Sequence, residues 1–296
     1  RHSTKSKCRM ENKPQPMRID INAVLRQRAS AYYKFIPRFL IKALERTICQ
    51  DGLNRLLTHN ADKVGVDFCR GVVEDLGVTY RVHGSLPVDD TRVIIVSNHP
   101  LGGLDGMVLA TMVSELYGGR KDVKFVVNDL LTFVEPLRPI FLGVNKHGKQ
   151  SREAAARLDE AFESDAPIVM FPAGLVSRKG DDGTIADLKW NKMVINKAIL
   201  SRRNIIPLHF GGENSPFFYK FARLRTRLGL KFNIEMVRLP REVFESAGKT
   251  FDIHIGKPIP WETFHGGKDA ANEASALREE VYRLASLRHS DRSSKR

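Results

Sequence analysis

The sequence predicts an α/β fold in which a mostly parallel central sheet is layered with helices, with an N-terminal helical extension. Two observations support this prediction. Before Val78 the apolar residues recur at helical spacing, and from Val78 onward short β-branched runs alternate with helical patterns. Strands separated by helices of this length form parallel sheets that helices cover. We therefore expect one α/β domain preceded by a helical region.

The helical extension is predicted over residues 19–77. Apolar side chains recur at helical spacing from Asn22 to Phe35, and Pro37 is suited to begin a second helix. Basic residues flank both segments. This pattern is typical either of a helical hairpin lying on a membrane or of a helical cap packed on the main domain. A further helix is predicted over residues 62–76.

The main domain is predicted over residues 78–288, between a disordered basic tail at residues 1–18 and another at residues 289–296. Its apolar runs predict strands over residues 78–82, 92–96, 123–127, 139–144, 167–171, 204–210 and 253–255. Helices are predicted over residues 151–164, 190–200 and 270–287.

The net charge of +14 lies mainly in the two tails. Residues 1–18 contain six Lys or Arg and one Glu, and the last eleven residues contain four Lys or Arg and one Asp. The remaining body is mildly basic, which favours partners such as an anionic lipid surface or an acidic carrier protein. The sequence has no zinc-finger or RNA-binding signature, so we expect no nucleic-acid partner.

The cysteines and the apolar runs exclude two other classes of protein. Cys8, Cys49 and Cys69 are widely spaced and form no CxxC pair, so neither a disulfide framework nor a zinc site is predicted. A reducing compartment is expected. No apolar run approaches the roughly 18 residues that a membrane-spanning helix needs. No signal peptide is visible at the start of the sequence.

One stretch, residues 93–106, combines a buried strand with polar residues suited to catalysis. Four β-branched residues lead into Asn98 and His99, and Asp105 opens an apolar helix. Open α/β sheets bind their ligands where strands end. His99 and Asp105 are therefore a candidate base and orienter, because imidazole titrates near neutral pH and a carboxylate can fix its tautomer. A capping Asp105 and a structural His99 are an equal alternative.

Two later strand ends also carry candidate binding residues. Residues 141–149 run from an apolar strand into a basic glycine loop. Residues 168–179 form a buried strand that stops at Pro and Gly and then presents a hydroxyl and two cations, a combination suited to an anionic head group. The candidates are Lys146 in the first cluster and Phe171, Pro172, Gly174, Ser177, Arg178 and Lys179 in the second.

In this order, the motifs resemble those of the glycerolipid acyltransferase superfamily, whose best-known members are the lysophosphatidic acid acyltransferases. The family's Asn-His-x4-Asp motif is similar to Asn98-His99 and Asp105, although five residues separate His99 from Asp105 here. The family's Phe-Pro-Glu-Gly-Thr-Arg-Ser motif resembles residues 171–178, with Ala173 in place of the glutamate. An apolar strand with a central proline follows in both, and the resemblance covers about residues 78–260.

The resemblance implies a glycerol-3-phosphate acyltransferase-like fold and the transfer of a fatty acyl group from a thioester to a lipid hydroxyl. His99 would be the general base and Asp105 its orienter. Backbone N–H groups at Gly102 and Gly103 would bind the oxyanion, and Asn98 would order the loop. We expect the glycine turn to absorb the extra residue between His99 and Asp105.

The two departures from the family motifs resemble a divergent, haemolysin-annotated bacterial branch that O-acylates lyso forms of amino-acid lipids, such as ornithine or glycine lipids. The implied acceptor is such a lyso-lipid or lysophosphatidic acid. The implied donor is a thioester of acyl carrier protein or coenzyme A, with no metal and no other cofactor. The expected location is peripheral, at the cytoplasmic face of the inner membrane.

A last segment, residues 217–228, has two different sides on a helical projection. Apolar side chains at positions 217, 221, 224 and 228 form a stripe, and Lys220, Arg223 and Arg227 form a basic row beside it. This arrangement is typical of an interfacial helix on an anionic bilayer. It also suits docking of an acidic acyl carrier protein, or a surface helix packed by its stripe. A non-catalytic lipid- or membrane-binding protein is the rival function, because it would need these surfaces but not His99 and Asp105.

Overall fold

The computed structural model describes residues 17–28, 30–128, 131, 134–144, 152–229 and 233–293. Its helices are α1 (Ile21–Arg28), α2 (Ser30–Tyr33), α3 (Arg38–Thr47), α4 (Gln50–His59), α5 (Gly65–Asp75), α6 (Leu104–Leu116), α7 (Arg152–Glu163), α8 (Met193–Ser201), α9 (Pro216–Arg227), α10 (Leu239–Glu245) and α11 (Ala270–Ser293). Its strands are β1 (Thr79–His83), β2 (Ile94–Ser97), β3 (Lys124–Asn128), β4 (Phe141–Val144), β5 (Ile168–Met170), β6 (Arg178–Lys179), β7 (Ile185–Ala186), β8 (Ile205–Phe210) and β9 (Thr250–Ile255).

Seven of the strands in the described part of the chain form one sheet, in the order β1-β9-β8-β2-β5-β3-β4. Neighbouring strands are parallel except β8 and β9, which are antiparallel. The predicted α/β class with a mostly parallel sheet is therefore confirmed. The strand β2 lies in the middle of the sheet, between β8 and β5.

The β-branched run of β2 matches its central position, because a strand covered on both faces needs apolar side chains at every position. Ile95 packs into a core with residues of α5 and α6 on one face of the sheet. Ile94 and Val96 pack into a second core with residues of α7, α8 and α11 on the other face. All three side chains are fully buried.

The helices α1 to α5 fall within the predicted helical region, residues 19–77. The helix α4 was not predicted from the sequence. Gly52, in α4, packs so closely that a Cβ atom added to it would lie 2.7 Å from Cζ of Phe244 in α10. The helix α5 shares its apolar core with α6 and the sheet, so the helical region and the main domain are packed as one unit.

Two predictions of local structure differ from what is observed: where the last helix ends, and the conformation of residues 178–179. The helix α11 continues through Ser293, so the predicted disordered tail at residues 289–296 begins inside a helix. No proline or glycine interrupts residues 289–293, which explains why the helix does not stop at the predicted boundary. Arg178 and Lys179 were predicted to lie in a loop after a buried strand. In the structure they form β6, which pairs with β7 in a small antiparallel hairpin.

A third, smaller apolar cluster lies beside the loop that follows β2. It contains Val176, Phe218 and Tyr219, with Leu239 packed against them. A Cβ atom added to Gly102 would meet Val176 and Leu239, at 2.4 Å and 2.9 Å. This cluster therefore fixes α9 and α10 next to the loop that carries His99.

Candidate active site

The loop between β2 and α6 holds the candidate catalytic residues at the carboxyl end of the central strand. His99 follows β2 by two residues, and Asp105 is the second residue of α6. On one side the loop adjoins the end of β8, and on the other it adjoins Phe171, which follows β5. This is the edge at which parallel sheets bind ligands.

The structure brings His99 and Asp105 into contact. His99 Nδ1 lies 3.0 Å from Asp105 Oδ2, and Asp105 is fully buried. The Asp105 carboxylate also accepts hydrogen bonds from the backbone N–H groups of Leu101 at 2.9 Å, Gly102 at 3.3 Å and Gly106 at 2.9 Å. One carboxylate therefore contacts the His99 ring and also binds N–H groups of the turn, although Gly103 and not Asp105 is the N-cap of α6.

The electrostatics of the pair decide which nitrogen of His99 carries the proton. Burial by itself raises the pKa of Asp105, but His99 and the backbone N–H groups outweigh it and hold the pKa below its ordinary value. An ionised carboxylate only accepts hydrogen bonds, so Nδ1 of neutral His99 carries the proton and Nε2 carries the lone pair. That tautomer is the one a general base requires.

The glycine turn accommodates the extra residue between His99 and Asp105. Gly102 has a φ of +78°, a left-handed conformation that favours glycine. Gly103 has a φ of −167°, and a Cβ atom added there would meet nothing within 4 Å. Only Gly102 therefore needs to be glycine. Its N–H group already donates to Asp105, so the predicted oxyanion role fits Gly103 better than Gly102.

Asn98 and Phe171 hold the candidate base from two sides. The buried Asn98 side chain accepts a hydrogen bond from the N–H group of Phe210 at 2.7 Å and donates one to its carbonyl at 2.9 Å. This pairing ties the His99 loop to the end of β8. The Phe171 ring stacks on the His99 ring, with centroids 4.1 Å apart. Asn98 thus orders the loop, as the resemblance implied, and Phe171, a predicted binding residue, contacts the candidate base itself.

The remaining residues of the Phe-Pro motif shape the neighbouring loop. Pro172 is buried, and Gly174, with a φ of +60°, closes a turn by donating to the Phe171 carbonyl at 2.9 Å. Ser177 is buried, and its N–H group donates to the His99 carbonyl at 2.9 Å. The Ser177 hydroxyl donates to Asp187 Oδ1 at 2.6 Å. Ser177 therefore contacts the candidate base through its backbone.

Asp187, which is buried beside this loop, was not predicted from the sequence. Its Oδ1 atom also accepts the backbone N–H group of His99 at 3.1 Å. The two residues lie 88 positions apart in the chain, and Asp187 belongs to no motif. Its only local signal is an isolated acid three residues before a tryptophan, which is too weak to predict a site.

Arg178 lies in a buried cluster of charges. Its Nη2 atom donates to Glu235 Oε1 at 2.7 Å, and Nε of Arg225 lies 2.9 Å from Glu235 Oε2. Burial lowers the pKa of Arg178 below its ordinary value, although Glu235 acts in the opposite direction. Two guanidinium groups and one carboxylate leave a net positive charge, and Nη1 of Arg178 makes no hydrogen bond within the described residues. Glu235, like Asp187, was not predicted.

The other predicted binding residues are more scattered. Lys146 lies outside the described residues. Lys179 is exposed on β6, and Lys220 and Arg227 are exposed on α9. The guanidinium of Arg223 lies 3.6 Å from Asp181 and donates to the Gly180 carbonyl at 2.6 Å. The β6–β7 hairpin folds back on α9, so Asp181 lies beside the basic row of α9. The segment of α9 itself contains no acidic residue.

The apolar stripe of α9 faces outward. Phe217, Leu224 and Leu228 are 55%, 52% and 64% exposed, whereas Phe218 and Ala222 are buried on the opposite face. Phe221, the fourth residue of the stripe, is half-buried, so most of the stripe is exposed and not packed against the protein. Apolar side chains are also exposed near the N-terminus, at Phe35 between α2 and α3 and at Phe39 and Leu40 in α3, whereas Ile41 and Ile48 are buried. No helix in the described part of the chain is long and apolar enough to cross a bilayer.

Comparisons with known proteins decide the family. The family model described as Acyltransferase matches residues 23–289. The chain belongs to the acyltransferase family. This acyltransferase is 42% identical over 268 residues to the lyso-glycine lipid O-acyltransferases of Bacteroides thetaiotaomicron and Phocaeicola vulgatus. The alignments cover 90% of this chain and 97% and 95% of those two proteins. The resemblance to acyltransferases and the prediction of an enzyme are thus confirmed.

A solved structure is also similar to this acyltransferase, at a much greater distance. The crystal structure of the 1-acyl-sn-glycerophosphate acyltransferase PlsC from Thermotoga maritima is 14% identical, with a TM-score of 0.43. The match covers 90% of this chain and 98% of that chain. The likeness is too distant to bear on substrate or mechanism.

Proposed function

We propose that this acyltransferase transfers a fatty acyl group from a thioester donor to the hydroxyl of a lyso-glycine-type lipid, with His99 as general base. The observation that carries the proposal is the contact between His99 and a buried, ionised Asp105 at the carboxyl edge of the sheet. The acceptor class is supported by two relatives that are named lyso-glycine lipid O-acyltransferases and are similar along nearly their whole length.

In the proposed reaction, Nε2 of His99 takes the proton of the acceptor hydroxyl as its oxygen attacks the thioester carbonyl. The new carbon–oxygen bond gives a tetrahedral oxyanion, for which the backbone N–H group of Gly103 is the candidate donor. Collapse of this intermediate breaks the carbon–sulfur bond. The leaving thiolate takes the proton from His99, and Asp105 stabilises the imidazolium in between. The reaction needs no acyl-enzyme, because the acceptor hydroxyl is the nucleophile.

The charged cluster around Arg178 suits the carboxylate of an amino-acid lipid. The cluster keeps a net positive charge, and Arg178 has a buried Nη1 donor without a hydrogen bond within the described residues. Arg178 follows Ser177, whose N–H group contacts the His99 carbonyl, so the backbone of Arg178 lies close to the candidate base. Ala173 occupies the position of the family's glutamate, so no carboxylate there would repel an anionic acceptor.

We further propose that the enzyme works as a peripheral protein on an anionic membrane surface, through the outward face of α9. The exposed stripe of Phe217, Leu224 and Leu228 has Lys220 and Arg227 beside it, and α9 contains no acidic residue. Asn214, just before α9, donates to the Pro100 carbonyl at 3.0 Å, which ties this helix to the His99 loop. A donor carried by acyl carrier protein or coenzyme A would place this surface at the cytoplasmic face.

An acyl-transfer assay tests the proposed reaction. Purified enzyme is given lyso-glycine lipid or lysophosphatidic acid, each with an acyl carrier protein or a coenzyme A thioester, and released thiol and acylated product are measured. We expect turnover with lyso-glycine lipid. The His99→Ala variant should lose about 10²- to 10⁴-fold in kcat, the usual contribution of general base catalysis.

The matched control is His265→Ala, because His265 is an exposed histidine on the surface. This control should keep wild-type turnover, and the thermal unfolding temperature of His99→Ala should remain near that of the wild type. Near-wild-type activity of His99→Ala would refute the role of His99. Absence of thiol release with every acceptor would favour the non-catalytic lipid-binding alternative for this chain.

A further inference from the structure

Asp187 lies between β7 and α8. Its carboxylate accepts hydrogen bonds from three donors, which belong to His99, Ser177 and Trp190. Oδ1 accepts the backbone N–H group of His99 at 3.1 Å and the hydroxyl of Ser177 at 2.6 Å. Oδ2 accepts the indole N–H group of Trp190 at 2.9 Å. The residue is 4% exposed, so these hydrogen bonds form away from solvent, where an unmade one is expensive.

The backbone of Asp187 is held from behind by the last helix. Its N–H group donates to the hydroxyl of Tyr282 at 2.7 Å. Its carbonyl accepts two hydrogen bonds from the guanidinium of Arg278, at 2.8 Å and 3.2 Å. Both residues belong to α11, which packs against the sheet in the second core. The carboxylate of Asp187 therefore projects from an anchored position toward the His99 loop.

Among the hydrogen bonds that hold His99, two depend on Asp187. Its side chain contacts Asp105 through Nδ1. Its N–H group donates to Asp187, and its carbonyl accepts the N–H group of Ser177. Ser177 is itself held through its hydroxyl by the same Asp187 oxygen. Asp105 thus sets the tautomer of the ring, and Asp187 sets the position of the backbone from which the ring extends.

We propose that Asp187 is a positioning residue for acyl transfer, which fixes the backbone of His99 so that Nε2 reaches the acceptor hydroxyl. The inference rests on the proposed function of His99 as base. Asp187 touches no reacting atom. Its effect is on geometry, and a misplacement of about 1 Å can cost about 10²-fold in rate. Loss of Asp187 should therefore lower kcat much more than it raises KM for the acceptor.

The hydrogen bonds suggest a rescue experiment. In Asp187→Asn the carboxamide has only one acceptor oxygen. If this oxygen faces His99, the amide N–H₂ group faces the indole N–H group of Trp190, and two donors oppose each other. If the carboxamide rotates, the conflict moves to the N–H group of His99. Trp190→Phe removes the indole donor, so Asp187→Asn in that background can keep its oxygen on His99 without conflict.

We expect Asp187→Ala to lower kcat about 10²-fold. Because one buried donor lacks an acceptor, Asp187→Asn should lower kcat roughly tenfold in the wild-type background. Compared with Trp190→Phe alone, the double variant should lose less than about twofold, since no indole donor then opposes the amide N–H₂ group and the amide oxygen can stay on the N–H group of His99. The resonance of the His99 Nδ1 proton by ¹H NMR should shift in Asp187→Ala and return in the double variant to its position in Trp190→Phe.

A purely structural role predicts a different result. In that case Asp187→Ala lowers the unfolding temperature but leaves kcat per folded molecule and the Nδ1 proton resonance unchanged, which would overturn the proposal. Equal losses for Asp187→Asn in both backgrounds would also overturn it, and this comparison stands if Asp187→Ala does not fold. His99→Ala is measured in parallel. An active His99→Ala refutes the proposed base, whereas an inactive His99→Ala with an active Asp187→Ala refutes only the positioning role.

Discussion

At the scale of single residues, the site depends on contacts that hold one histidine in place. Asp105 contacts the His99 ring and three backbone N–H groups with one buried carboxylate. A loop in which one side chain satisfies several N–H groups has few alternative conformations, so the tautomer and the turn geometry are coupled. A change in the turn should therefore affect both stability and catalysis.

The two glycines of the turn test this coupling. Gly102→Ala should destabilise the protein by about 2 kcal/mol or more, because it places a Cβ atom in a left-handed residue and against a packed core. The nearest atom, Cγ2 of Val176, would be 2.4 Å away. Urea unfolding measures the free energy, and kcat should fall with it because the His99–Asp105 contact shifts.

Gly103→Ala is the matched stability control. Its φ of −167° lies outside the left-handed region, and a Cβ atom there meets nothing within 4 Å. Its free energy of unfolding should fall by about 1 kcal/mol at most, because no packed atom has to move. Equal destabilisation by the two substitutions would contradict the account of the turn.

At the scale of elements, α9 is the clearest case of a helix with two different faces. Its buried face packs beside the His99 loop through Phe218 and Tyr219. Arg225, also on α9, contacts the buried Glu235. Its outer face carries the apolar stripe with Lys220 and Arg227. Exposed apolar side chains in a contiguous row mark an interaction surface, and basic neighbours favour an anionic lipid surface.

Flotation with lipid vesicles tests this surface. Lys220→Glu with Arg227→Glu should weaken binding to anionic vesicles by roughly 30-fold or more, because each basic residue near the surface contributes about 1 kcal/mol. Leu224→Ser with Leu228→Ser should weaken binding by removing the buried apolar area. Binding of the wild type should fall as salt is raised, because the attraction is electrostatic.

Two exposed positions elsewhere provide controls. Lys192→Glu with Lys268→Glu makes the same change in net charge away from α9, and Leu200→Ser removes an apolar side chain that is 76% exposed on α8. Both controls should float as the wild type does. If the α9 variants float equally well but lose activity only with the carrier-protein donor, α9 docks the carrier protein instead of the membrane.

At the scale of the whole molecule, a partly buried histidine makes stability depend on pH. Burial lowers the pKa of His209 in β8 from 6.5 to about 4, with a further contribution from His254. The unfolded chain therefore binds more protons than the folded one between about pH 6.5 and pH 4, so stability is complete above this window and falls as the pH drops through it.

The free energy of unfolding should accordingly decrease by about 2 kcal/mol between pH 7 and pH 5 through His209 alone. Urea unfolding at several pH values measures this. The His209→Gln variant lacks the titrating group, so its decrease over the same range should be smaller by that amount. An unchanged slope in His209→Gln would assign the pH dependence to other groups, such as His254, whose pKa burial also lowers.

The sequence by itself determined the class of fold, the pair His99 and Asp105, and the apolar stripe of α9 with its basic neighbours. These features are local: a β-branched run signals a strand buried on both faces, and a helical repeat separates the sides of a helix. The order of the motifs along the chain was enough to indicate an acyltransferase. Local patterns did not predict α4, because Gly52 and its polar neighbours are not typical of a helix. Gly52 packs closely against Phe244, and this contact is visible only in the folded chain.

Only the tertiary structure decided which charged residues act together. Asp187 reaches His99 across 88 positions, and Glu235 reaches Arg178 across 57. Neither acid has a periodic or motif signal, because a single hydrogen bond between distant segments leaves no trace in local spacing. The sequence was enough to identify His99 and Asp105 as the candidate catalytic pair. Only folding fixes the position of His99, because its backbone is held by Asp187. Asp187 lies next to His99 only after the sheet and α11 have packed together.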